Sequence, residues 1–193
     1  MSTTPVTPRP HLRVGYVPGV TLTKWRTVWS DRFPRIPLEI VEVEQPDQRQ
    51  VLVDEVVDVC FVRLPLDTDG LHRIPLYEEL PVAWVSKDHV VAAVDEVSLG
   101  DLADEDVRTE VTTFHVDLVA LGEAVLHVPM SIARTQSRRD LVYRPITDAP
   151  STTIAIAWRQ DDGNELIEEF IGVVRGRTAN SSRTAQARGK RKS

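Results

Sequence analysis

Cysteine is nearly missing from this chain. The single thiol, Cys60, sits between Val59 and Phe61 in an apolar run. An internal disulfide is therefore excluded, and the residue reads as a small buried hydrophobe rather than a reactive thiol. No apolar stretch approaches the roughly 20 residues of a transmembrane helix. The start, Met1 to Pro10, carries Pro5, Pro8 and Pro10 where a signal peptide would have its apolar centre, so a cytoplasmic protein is expected. Metal-ligand spacing is absent too: His11, His72, His89, His115 and His127 are scattered, with no H-x-x-x-H pair. Neither a metal nor a cofactor is expected. The chain has no G-x-G-x-x-G or Walker-type loop, and Ser98 and Ser131 lie in no nucleophile elbow, so no catalytic residue is assigned. Trp25, Trp29, Trp84 and Trp158 are not interleaved with basic residues, which makes them core aromatics rather than a base-stacking platform.

Acidic residues vanish from the end of the chain. Residues 175–193 hold seven Arg or Lys and no Asp or Glu, leaving 16 basic and 29 acidic side chains in the other 174 residues. The acidic body repels nucleic acid, whereas the basic tail can touch phosphates or an acidic partner without reading sequence. The simpler expectation is that residues 1–10 and 176–193 are solvated and disordered. What remains is long enough to bury a real core as one domain or two small lobes.

Strand and helix signals alternate from the start. Leu12 to Val17 reads as a strand followed by a Pro18-Gly19 turn. Leu22, Trp25, Val28, Trp29 and Phe33 fall at helical spacing, with Thr21 or Thr23 as the expected cap. A β-branched strand at Leu38 to Val43, a helix over Gln48 to Val57 and the near-continuous apolar run Val59 to Arg63 complete a βαβαβ unit. In parallel sheets of this kind, ligands bind beyond the carboxyl ends of the strands. Further extended segments are predicted at Leu71 to Leu76, Pro81 to Val85, Val107 to Thr112, Ala124 to Val128, Leu141 to Pro145 and Ile154 to Trp158. A short helix at Val97 to Leu102, helices at Phe114 to Gly122 and Ser131 to Arg138, and a last helix capped by Asn164 fill the gaps. In that last helix Leu166, Ile167, Phe170, Ile171 and Val174 make an apolar stripe.

Several passages, in order, resemble the effector-binding domain of LysR-type transcriptional regulators. Leu12-Arg13-Val14-Gly15 with Pro18 looks like the opening strand and loop, and Phe33 to Ile40 is similar to the family's F-x-x-x-x-P-x-V-x-L passage. Asp58 to Arg63 resembles its D-L-A-I strand, Lys87-Asp88-His89 its D-H-P turn, and Val97 to Ala103 its V-x-L-x-D-L-A passage. The likeness resumes at Leu118 to Gly122, at Pro129 to Ser131 and at Trp158, Glu165 and Phe170. It implies an α/β, two-lobed fold of the periplasmic-binding-protein-like (type 2) kind. Lobe I would comprise residues 11–85 plus 152–175, and lobe II, reduced in size, residues 86–151. Only ten Pro-rich residues precede the first strand, so the family's winged helix-turn-helix is expected to be absent. Glu55 stands where the family often has a glycine, which alters a helix end.

The resemblance implies a small-molecule sensing or regulatory interaction module whose ligand sits between the lobes. Backbone N–H groups at helix starts favour an anion there, such as a small carboxylate. The expected contacts are Pro18, Thr21 and Thr23 in the first loop, Arg63 at a strand end, Thr112 and Thr113 before the second-lobe helix, and Pro129 and Ser131 after a second-lobe strand. Three of them have a plainer role: Thr21 and Thr23 as helix caps, and Arg63 in a surface ion pair with Asp67 or Asp69. Family domains pair through a helix and an edge strand, so a homodimer is expected. Two alternatives stay open: an enzyme acting on a carboxylate substrate, with Asp58, Arg63, His115 and His127 as loose candidates, and a nucleic-acid-associated protein acting through the tail.

Overall fold

The computed structural model describes residues 11–176. The Pro-rich start and the basic tail from residue 177 onward, both expected to be disordered, lie outside the described residues. The first half contains β1 (Leu12–Tyr16), α1 (Thr23–Arg32), β2 (Leu38–Glu42), α2 (Gln50–Val53), β3 (Val59–Leu64) and β4 (Leu71–Glu79). Next come β5 (Pro81–Ser86), β6 (Val107–Arg108), α3 (Thr113–Ala120), β7 (Val125–Pro129), α4 (Met130–Thr135) and β8 (Leu141–Pro145). The chain then returns through β9 (Thr152–Arg159) and ends on α5 (Leu166–Val174).

Two sheets result, in the orders β2-β1-β3-β9-β4 and β6-β7-β5-β8. In the first, β1 runs parallel to β2 and β3, with Val14 opposite both Ile40 and Val59, as the βαβαβ pattern requires. The returning β9 is antiparallel to β3 and β4 and ties the end of the chain to its beginning. The sequence places residues 81–85 in the first lobe, but β5 pairs with β7 and β8 and belongs to the second sheet. The crossing between lobes is therefore at Glu79–Leu80.

The period of two along β3 sorts its side chains onto two faces. Val59 and Phe61 join the cluster that contains α1 and α5, while Cys60 and Val62 face the cluster around Leu52. Both tryptophans of α1 serve this core. Trp25 stacks on Phe61 at 4.7 Å, and Trp29 meets Phe170 edge-on at 5.6 Å while its indole N–H donates to the Ile36 carbonyl at 2.8 Å. Ile167, Phe170 and Ile171 of the predicted stripe are buried on α5. A second core lies between β5, β7 and α3, around Trp84, Leu126 and Val119.

Three local expectations change. The helix expected over 48–57 is a single 3-10 turn at Gln45–Asp47 followed by the four-residue α2. It stops because Glu55 adopts φ 59°, the left-handed geometry that ends helices and usually falls to glycine. The strand expected over 107–112 pairs only at Val107 and Arg108, after which the backbone leaves the sheet to reach α3. The threonine caps of α1 do not form: Leu22 is the N-cap in an α conformation, without the extended backbone that lets a hydroxyl reach back to the first turn. Thr112 does cap α3, its hydroxyl accepting the His115 N–H at 3.1 Å.

Candidate functional site

Because β1 and β3 are parallel, the loop after β1 and Arg63 near the end of β3 emerge on the same side of the first sheet. There they meet Thr112 and α4 of the second lobe. A cavity of about 700 Å³ opens between the lobes, lined by Pro18, Glu42, Glu44 and Gln45 from one side and Glu110 and Thr112 from the other. Its size falls in the ~300–1,000 Å³ range of small-molecule sites.

Beside this cavity lies a buried polar network. Arg63 and Glu79 are 2% and 5% exposed, and the Arg63 Nε donates to a Glu79 oxygen at 2.7 Å. The Arg63 Nη2 donates to the other Glu79 oxygen at 3.3 Å and to the Pro18 carbonyl at 2.9 Å, and Nη1 donates to Gln45 at 2.8 Å. Gln48 exchanges two hydrogen bonds with the Arg63 backbone. Glu79 also accepts the hydroxyl of Thr152 at 3.3 Å and that of Ser131, which reaches it from α4 of the other lobe. Each carboxylate oxygen thus accepts twice and every guanidinium nitrogen donates, the condition under which a buried ion pair persists. Gly19 makes the close fit feasible. It sits at φ 93°, and a Cβ there would lie 2.5 Å from the Ser131 hydroxyl and 3.2 Å from the Ile132 nitrogen.

The eight expected ligand contacts are thus distributed. Pro18 and Thr112 line the cavity; Arg63 and Ser131 belong to the network behind it. Thr113 borders a smaller neighbouring recess with Asp117 and Arg138, and Thr21 and Thr23 line a separate recess with Tyr16 and Arg26. Pro129 ends β7 opposite Pro81. The surface ion pair between Arg63 and Asp67 or Asp69 does not form, because Arg63 points inward. Arg49 takes that place, at 3.2 Å from both the Asp67 carboxylate and the Asp69 carbonyl. A carboxylate ligand expected at Arg63 finds the donors already engaged by Glu79.

The candidates for catalysis stand apart. Asp58, at the opposite end of β3 from Arg63, pairs with Arg13 at 2.6 Å. Burial pushes the Cys60 thiol up to about 12, which leaves it protonated and inert. Burial lowers the His127 pKa, keeping its ring neutral. The His115 Nδ1 donates to the Glu110 carbonyl at 2.7 Å. Among the described residues, no group of three or more His, Cys, Asp or Glu is arranged to hold a metal.

Sequence comparison yields AlsR, a transcriptional regulator of Bacillus subtilis, at 23% identity over 75% of this chain and 58% of that protein. HcaR, a transcriptional activator of Escherichia coli, is 21% identical over 88% of the chain and 68% of its own length. This chain therefore spans little more than half of AlsR. Among solved structures, a full-length BenM variant aligns with TM-score 0.76 at 21% identity, covering 89% of this chain and 68% of that one. The BenM effector-binding domain with its effector benzoate aligns at 0.72 and 22%, covering 87% and 91%. The two-lobed α/β fold of those effector-binding domains is the fold found here. The family model described as LysR substrate binding domain matches residues 6–114, more than half of the chain, and the chain belongs to that family.

Proposed function

We propose that this chain is a non-catalytic sensing domain of the cytoplasm that binds a small-molecule effector in the inter-lobe cleft and passes the resulting lobe geometry to a regulatory partner. The observation that carries this reading is the cavity of about 700 Å³ between the lobes, open on the side where the carboxyl ends of β1 and β3 meet α4. Pro18 and Thr112 are the contacts from the sequence that fit it, with Gln45 and Gln136 as added polar groups. The BenM effector-binding domain, solved with its effector benzoate, shares this fold and supports a small-molecule effector. A second copy of the chain is the proposed partner, joined through α1 and the edge strand β2.

A thermal-shift screen of small molecules tests the sensing role. A ligand present at 100 times its Kd and bound only to the folded state adds about 2.7 kcal/mol of stability. Gln136→Trp, which fills the cavity from its exposed rim, is expected to abolish the shift. A shift that survives this substitution removes the cleft from the reading. Sedimentation at micromolar concentration checks the homodimer, and a monomer counts against it.

A further inference from the structure

The open cavity carries charge of one sign. Its wall contains Glu42 and Glu44 at the end of β2 and Glu110 in the loop before α3, with neither lysine nor arginine. The Glu44 and Glu110 carboxylates make no ion pair among the described residues, and Glu42 accepts only the Tyr16 phenol, at 3.3 Å. Burial and then the Glu42 charge raise the pKa of that phenol, against a smaller opposing effect of Arg26. Arg63 is withdrawn behind the wall, with all three nitrogens engaged by Glu79, Gln45 and Pro18, and Arg138, in the neighbouring recess, is paired with Asp117 and Asp140.

Glu42 and Glu44 belong to one lobe and Glu110 to the other. Approach of the lobes therefore brings like charges together across the cavity, and a cation between them turns that repulsion into attraction. An anion makes it worse. The three carboxylates form no metal-type group, so the arrangement suits an organic cation that extends across the cavity rather than a bare ion.

We propose that the effector of the inter-lobe cleft is an organic cation, an amine or diamine, held by Glu44 and Glu110 from opposite lobes. This rests on the cleft being the effector site. It replaces the carboxylate that the sequence suggests. Two features carry it: the Arg63 guanidinium that an anion would seek is already engaged by Glu79, Gln45 and Pro18, and the charged side chains that line the cavity are all carboxylates.

Three probes of one length separate charge from shape: 1,6-diaminohexane, hexane-1,6-diol and hexanedioate, titrated calorimetrically into the full chain at low salt. The diamine is expected to bind and the diacid not. Glu44→Gln and Glu110→Gln, both at exposed positions, are each expected to weaken the diamine about two- to fivefold, with binding falling further as salt is added. Hexanedioate binding as tightly as the diamine overturns the charge assignment and leaves the sensing role intact. Diamine binding that is absent, or unchanged in both variants, overturns it as well. A silent thermal-shift screen across all charge classes removes the sensing role itself.

Discussion

The cleft has two walls built on opposite principles. Behind it, the buried Arg63 and Glu79 are saturated by each other and by Gln45, Gln48, Ser131 and Thr152. In front, Glu42, Glu44 and Glu110 stand in solvent without ion-pair partners among the described residues. Buried charges are expensive and must be paired, so the inner wall is a fixed part of the fold that spans both lobes. Exposed charges cost little to leave unpaired, so the outer wall can wait for a ligand. The difference teaches that an arginine at a strand end does not by itself mark an anion site. What matters is whether the fold has already supplied its counter-ion.

The largest expected effect comes from breaking the inner wall. Glu79→Ala leaves the Arg63 charge buried without its partner and should cost about 3–5 kcal/mol in urea unfolding. The double change Arg63→Met with Glu79→Leu, which removes both charges at similar volume, should recover most of that loss. Equal destabilisation by the single and double variants would show that the pair matters for packing rather than charge.

Gly19→Ala should come next, at about 1–3 kcal/mol, because a Cβ at this positive φ meets the Ser131 hydroxyl and the Ile132 backbone. Thermal unfolding checks it, and a neutral result would mean that the loop has room to move away from α4. Ser131→Ala removes the donor that α4 contributes to Glu79 and should cost roughly 1 kcal/mol. The outer wall should respond least: Glu44→Gln and Glu110→Gln are expected to stay within ~0.5 kcal/mol of the parent in stability. A large loss there would erase the contrast between the walls.

Much of this fold is legible in the sequence. The βαβαβ opening, the strands at Pro81 and Ile154 and the apolar stripe of the last helix follow from period and β-branching alone. The shortened α2 does not, because Glu55 takes a backbone geometry that the chain gives no local reason to expect. The site is less legible than the fold. Arg63 stands out as a charge closing an apolar run, but its partner lies 16 residues on, at the end of β4, where Glu78 and Glu79 look alike. Only the turn from one sheet to the next decides which of them points inward. The acidic rim is harder still to foresee, since Glu42 and Glu110 come from different lobes and nothing in their spacing joins them.

The most direct test is a crystal structure of the full chain grown with 1,6-diaminohexane. The diamine is expected between the lobes, its ammonium groups beside Glu44 and Glu110, with the Arg63–Glu79 pair intact behind it. A ligand bound instead through Arg63, with Glu79 displaced, would contradict the division of the cleft into a self-neutralised inner wall and a cation-seeking outer one.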